Sequence, residues 1–144
     1  MTFSTDHLSA IDRLEIEDLT CSYGMHHDRR DFASLRACFT DRATYVMRVA
    51  GGTTYGPHEG ADAIVAQIRS FKAQQSDIRR HHITNVRIEP IDADHAIVRS
   101  YVIVSAVEGG TATVKTVGTY TDAVVRTSDG WLIAEKSLEL ETTF

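Results

Sequence analysis

After Ser76 the chain changes character and does not change back. Four strand-like runs follow one another: Arg80–Ile91, His95–Val107, Thr111–Arg126 and Trp131–Leu140. The breaks between them are Asp92-Ala93-Asp94, Glu108-Gly109-Gly110 and Ser128-Asp129-Gly130, each short enough for a hairpin. A succession of this kind predicts an antiparallel meander, and one face of it must be covered. The first half supplies the cover. From Leu8 to Asp28 there is no proline and a single glycine, Gly24, and Leu14, Cys21 and Met25 fall at helical spacing. Asp28 continues that stripe, 14 residues on from Leu14 and close to four turns of 3.6 residues. Asp31 is placed to N-cap a short helix through Phe32, Leu35 and Phe39. Thr44–Ala50 reads as a strand ended by Gly51-Gly52, and Gly60-Ala61-Asp62 opens a third helix carrying Ile64, Ile68 and Phe71. The prediction is an α+β fold: three N-terminal helices packed on a curved antiparallel sheet, with a pocket between them. No linker, repeat or biased tract interrupts it, so residues 1–144 read as a single domain.

Composition narrows the function classes. Lys+Arg 15 against Asp+Glu 20 gives a formal charge of −5, which disfavours a nucleic-acid partner because phosphate binding needs a basic surface. No apolar run approaches the ~20 residues that span a bilayer, so no membrane partner is expected. The N-terminus lacks the basic region and apolar run of a secretory signal, and a cytoplasmic location is the expectation. Cys21 and Cys38 form no CxxC pair and are expected to pack as small apolar residues. GxGxxG, P-loop, GxSxG and HExxH patterns are all absent. His26 and His27 are adjacent on a helix, about 100° apart, and poorly placed to share one ion. No cofactor and no metal are expected.

Three features could carry chemistry. Asp28 lies near a helix C-terminus, where a carboxylate meets the negative end of the macrodipole, yet it shares an apparently inward stripe. A buried carboxylate needs a partner: an arginine such as Arg29 or Arg30, or something less ordinary. The second feature is the doubled histidine, His81-His82, at the start of a long strand. A carboxylate on one ring nitrogen would orient the other as a base. Counting by twos from Val86 and Ile88 turns His82 inward and His81 outward, unless a bulge before Asn85 reverses the count. The third is Lys136, set among Leu132, Ala134, Leu138 and Leu140, which either snorkels to the edge or puts a cation in a pocket. Tyr23, Tyr45, Tyr55, Tyr101 and Tyr120 could each donate to a substrate carbonyl, with Tyr120 best placed within GTYTD.

With those residues in view, the chain from about Ile11 to Leu140 resembles the SnoaL-like branch of the nuclear transport factor 2-like superfamily. The likeness rests on IEDL…YGMHHDRRDF, FTDRATY, TYGPHEGADAI, RHHITNVRIE and YTDAVVRTSDGW in that order. It implies a cone-shaped α+β barrel. Within the superfamily the chain most resembles hexachlorocyclohexane dehydrochlorinase, with scytalone dehydratase and bile-acid dehydratases further off. Those enzymes imply a His general base oriented by an Asp late in the first helix, which fall here on His81 and Asp28. The resemblance thus favours His81 where parity favours His82. Lys136 lies near the position of the basic group that assists a departing chloride. Tyr23 stands where the dehydrochlorinase has a lysine and instead matches a tyrosine of the bile-acid dehydratases. Met47 replaces the carboxylate base of steroid isomerases, and Tyr101 lies near the second histidine of scytalone dehydratase. The expectation is a cofactor-independent lyase, a dehydratase or dehydrohalogenase acting on a small, mostly apolar ring substrate. Asp28, His81 and Lys136 would be catalytic, and Tyr23, His82, Tyr101, Tyr120 and Met47 would bind substrate. An isomerase or cyclase, or a noncatalytic small-molecule-binding protein, are the alternatives. Relatives imply a homo-oligomer, trimer or dimer.

Overall fold

The computed structural model describes residues 8–144. Its elements are α1 (Ala10–Arg29), α2 (Phe32–Ala37), β1 (Phe39–Val49), β2 (Thr54–Glu59), α3 (Ala61–Ala73), β3 (Ile78–Pro90), β4 (His95–Glu108), β5 (Thr111–Thr127) and β6 (Gly130–Leu140). The strands form one sheet in the order β2-β1-β6-β5-β4-β3. The meander β3 to β6 is antiparallel as expected. The sheet as a whole is mixed, because β1 returns beside β6 and runs parallel to it. A further short strand, β2, pairs antiparallel with β1 and forms one edge. The short helix ends before Phe39, which instead opens β1.

The sheet is curved and does not close, since β2 and β3 are both edges. Register shifts in the β1–β2, β3–β4, β4–β5 and β5–β6 pairings supply the bending, because an extra residue on one strand of a pair increases local twist. Gly109 and Gly110 both have positive φ (56° and 77°), the conformation that a tight two-residue hairpin demands between β4 and β5. Helices α1 and α3 lie across the concave side, α1 against β3 and β6, and α3 against β1 and β2. Ile16, Leu19, Ile64, Ile68, Val98, Val102 and Ile133 fill the space between the layers. No described helix is long and apolar enough to cross a membrane.

The inward face of α1 is not the one its apolar spacing suggests. Leu14 and Met25 are 64% and 47% exposed, and Cys21 is exposed too, whereas Cys38 is buried. The buried stripe runs through Asp12, Ile16, Leu19, Tyr23 and Gly24. Three buried positions of the helix, Asp12, Thr20 and Gly24, are polar or lack a side chain, so counting apolar residues selects the wrong face. Asp28 is interior all the same, because it lies one turn beyond Gly24. The glycine matters here. A Cβ at Gly24 would come within 3.3 Å of His81 Cβ, so its absence lets α1 approach β3 at the histidine.

Helix α1 starts on a capping box. Ser9 Oγ accepts the Asp12 N–H (3.1 Å) and Asp12 Oδ2 accepts the Ser9 N–H (2.9 Å). The other Asp12 oxygen accepts from Arg126 Nη1 (2.7 Å) and Trp131 Nε1 (3.2 Å), tying the helix to β5 and β6. The Arg126 hydrogen bond, then those from Ser9, hold this carboxyl well below its ordinary value of 3.8. A carboxylate of depressed pKa stabilises the fold fully above the unfolded value, and that contribution is lost as pH falls through the folded value. Asp12→Asn should therefore lower stability by about 2 kcal/mol at pH 7, roughly 4–8 °C in Tm. The gap between variant and wild type should shrink between pH 4 and pH 2. Thermal melts across that range check it, and a gap independent of pH would contradict the assignment.

Candidate active site

The last turn of α1 and the start of β3 meet at the concave face. Asp28 Oδ1 lies 2.6 Å from His81 Nδ1, and Asp28 Oδ2 accepts the His81 backbone N–H at 2.8 Å. Both side chains are nearly buried, 5% and 9% exposed. The geometry follows from topology. Strand β3 is a sheet edge, so the N–H groups on its free side need acceptors from outside the sheet. Asp28 supplies one at His81 and grips the imidazole with its second oxygen. These bonds offset the cost of a carboxylate at the negative end of a helix, about 0.3–1 kcal/mol when exposed. With Nδ1–H donating to the carboxylate, Nε2 carries the free lone pair, and His81 lines the cavity.

The bulge decides which histidine faces inward. Asn85 has φ 54°, and the β3–β4 register slips between Thr84 and Arg87. The extra residue reverses alternation, so His81 and Ile83 share the concave side with Val86 and Ile88. The parity count that selects His82 is corrected by that slip. His82 is exposed on the other side, its Nε2 2.8 Å from Ser105 Oγ. Tyr101 is 56% exposed on the same outer side, opposite Thr84 and Thr119. Neither reaches the cavity.

That cavity opens between the helices and the sheet and encloses about 690 Å³, open solvent at its mouth included. Tyr120, Tyr45, Met47, Val102, Val104 and Leu138 form its floor, and Tyr55, Phe71 and Phe144 pack edge-to-face along one wall. Met47 and Tyr120 therefore both line the cavity. Tyr23 is 1% exposed, behind that floor, with its ring edge-on to Tyr120, Phe39 and His27. Its hydroxyl is buried beside Tyr45 and Tyr120 without a well-formed hydrogen bond among the described residues.

Lys136 neither snorkels nor faces the cavity. Its Nζ sits 2.8 and 3.0 Å from the two oxygens of Asp122 and against the faces of Tyr120 and Tyr23, at 3.9 and 4.1 Å from their centroids. The pair is a direct cross-strand partnership between β5 and β6. Burial pushes the Asp122 carboxyl up and the Lys136 ammonium down, and each charge opposes the other's shift. A lysine so engaged is not available to a departing anion. In the fold Asp122 alternates with Tyr120 and Val124 on the inward side of β5 and so meets Lys136 directly across the strand pair.

Two cavity residues were missed. His27 packs against His81 with the rings tilted and their centroids 4.3 Å apart, and its Nδ1 is buried without a partner among the described residues. Burial, then the His81 and Lys72 charges, hold it well below the ordinary histidine value, which keeps it neutral. Lys72 is 3% exposed and lines the cavity. Its signal was spacing, since it follows Ile64 and Ile68 at successive steps of four. His27, Asp28 and His81 each offer a ligand atom within 4.8 Å of the others. Asp28 spends both oxygens on His81, an arrangement suited to sharing a proton.

A family model described as the SnoaL-like domain matches residues 9–137. The chain belongs to that family. No curated protein matches its sequence. Among solved structures it is similar to a nuclear transport factor 2-like protein with a cystatin-like fold from Novosphingobium aromaticivorans. That pair is 26% identical with TM-score 0.77, covering 90% of this chain and 82% of the other. A candidate aromatic ring hydroxylase from the same organism is 26% identical, TM-score 0.75, over 95% and 96% of the two chains. The beta subunit of a candidate aromatic-ring-hydroxylating dioxygenase, also from that organism, shares the fold at 14% identity. Its TM-score is 0.78, over 93% of this chain and 92% of the other. Solved structures that share this fold thus include proteins whose names refer to ring hydroxylation and one described as of unknown function.

Proposed function

We propose that the protein is a cofactor-independent lyase in which His81 removes a proton from a small, mostly apolar ring substrate. The observation that carries this reading is the two-point grip of Asp28 on His81 at the wall of an apolar cavity. His81 Nε2 takes the proton from carbon. The released electron pair forms a carbon–carbon double bond, and the leaving group departs from the neighbouring carbon with its own bonding pair. Asp28 holds the tautomer and stabilises the imidazolium. Tyr120 lines the cavity, and burial holds its phenol well above the ordinary value, so it stays protonated and able to donate to the leaving group. Positioned acid–base catalysis contributes about 10²–10⁴-fold, and a water-poor cavity strengthens the electrostatic part. Met47 on the cavity floor, where a steroid isomerase of this fold would need a carboxylate base, supports the dehydratase and dehydrohalogenase type over the steroid-isomerase type.

The test is incubation of the wild type in D₂O with apolar ring compounds that bear a hydroxyl or halide beside an acidic C–H. Products are read by mass spectrometry, with and without EDTA. Loss of water or HX that persists in EDTA is the expected result. Deuterium uptake without elimination would point to the isomerase or cyclase class, and neither reaction would point to a binding protein. Loss of activity on chelation would move His27, Asp28 and His81 to a metal site.

A further inference from the structure

The chain carries a formal charge of −5, yet no aspartate or glutamate is among the described residues that line the cavity. Two cationic side chains are: Arg79 and Lys72. Arg79 is already spoken for, its Nε 2.8 Å from Asp77 Oδ1 and its Nη2 3.3 Å from Oδ2. Lys72 is different. It is 3% exposed, and its ammonium makes no hydrogen bond or ion pair among the described residues. The carboxylates close enough to act on its charge, Asp28 and Asp77, are hydrogen-bonded to His81 and Arg79. The Lys72 ammonium is drawn largely out of bulk water into the cavity without a counterion of its own, which is costly, and a ligand that brings one relieves the cost. Two polar atoms of the same wall, Gln75 Oε1 and His58 Nε2, are buried without partners among the described residues.

Helix α3 aims Lys72 inward for a reason other than core packing. Ile64, Ile68 and Lys72 share one face, and the first two are 0% and 2% exposed in the core. A leucine at position 72 would satisfy that face at no electrostatic cost. The Lys136–Asp122 pair shows how this fold treats an ammonium that serves only structure: it supplies a carboxylate directly across the sheet. No such partner is supplied at Lys72. The remainder of the wall is aromatic and aliphatic, which suits a ring body rather than a bare inorganic anion.

We infer that Lys72 is a ligand-binding residue, and that the cavity takes an apolar ring compound bearing a single carboxylate, whose charge the Lys72 ammonium neutralises. This names the substrate class of the proposed function and rests on that reading for its catalytic meaning, but its test requires no turnover. The probes are 2-naphthoate and its neutral isostere 2-naphthamide, titrated calorimetrically into the wild type, Lys72→Met and Lys72→Arg. A charged hydrogen-bonded partner in a desolvated site corresponds to a preference of about ten- to hundredfold for the carboxylate. The wild type should show that preference. Lys72→Met should abolish it while still binding the amide, which also shows that the variant folds, and Lys72→Arg should keep part of it. Equal binding of the two probes by the wild type, a preference that survives in Lys72→Met, or no binding of naphthoate at millimolar concentration would each overturn the assignment. Failure of the dyad is separable, because Asp28→Asn should retain the carboxylate preference whether or not His81 acts as a base.

Discussion

Asp28→Asn should lower kcat for the proposed elimination by roughly 10³–10⁴-fold while leaving the fold in place. The size of the loss follows from hydrogen-bond inventory. The carboxylate accepts twice from one residue, from the His81 ring at 2.6 Å and from its backbone N–H at 2.8 Å. An amide of the same shape has only one oxygen. If that oxygen keeps the backbone N–H, the amide NH₂ faces the ring and can only donate to Nδ1. The imidazole must then carry its proton on Nε2, the atom that should be the base. If the amide turns over, its NH₂ opposes the backbone N–H, and a buried donor is left unpaired at a cost of about 1–3 kcal/mol. The first arrangement is cheaper, so the variant folds with the wrong tautomer. The same substitution in the Asp of a Ser-His-Asp triad costs about 10⁴ for this reason. A circular dichroism spectrum and melt close to wild type, beside a collapsed turnover, is the expected pair of results. Retained turnover would remove Asp28 from the chemistry.

The largest expected effect on stability is at Lys136. Lys136→Met should destabilise the protein by about 3–5 kcal/mol, because it strands the Asp122 carboxylate, 1% exposed, in an apolar interior. For a chain of this size that is roughly 10 °C or more in Tm. The partner substitution supplies the control. Lys136→Met combined with Asp122→Leu removes both charges and should recover most of the loss, since buried pairs replaced together by apolar groups are often neutral or stabilising. A double variant as unstable as the single would mean that the cation–π contacts with Tyr120 and Tyr23, rather than the ion pair, hold this region. Denaturant unfolding of both variants measures the difference. Activity should follow the same pattern, because Lys136 supports the cavity floor from behind instead of touching substrate.

The sequence made the layers legible because each hairpin carried its own signals. Asp92-Ala93-Asp94, Gly109-Gly110 and Gly130 fall where the strands turn, and β-branched runs lie between them. The parallel β1–β6 pairing was not legible, since strand order depends on contacts remote in the chain and leaves no local mark. The face of α1 was misjudged for a different reason. Its inward stripe includes Asp12, Thr20 and Gly24, so an apolar count favoured Leu14 and Met25, which the fold leaves exposed. Asp28 lies inside all the same, one turn beyond Gly24. His81 shows the limit of period-2 reasoning: one bulge at Asn85 inverts the result, and only the resemblance to the family pointed past it. Lys136 and Lys72 mark a second limit. Pattern places a lysine inside, but whether a carboxylate awaits it is a question of tertiary pairing, and the two answers here are opposite.

Proton abstraction by His81 requires one tautomer of its ring. Two-bond ¹H–¹⁵N correlation spectra of the histidine side chains, recorded at a pH where the rings are neutral, read it directly. In the wild type His81 should carry its proton on Nδ1, bound to Asp28, with a bare Nε2. In Asp28→Asn that assignment should invert while His82, hydrogen-bonded to Ser105 on the outer face, stays as it was. An imidazole at position 81 protonated on Nε2 in the wild type, or unchanged by the substitution, would contradict the dyad and the proton abstraction built upon it.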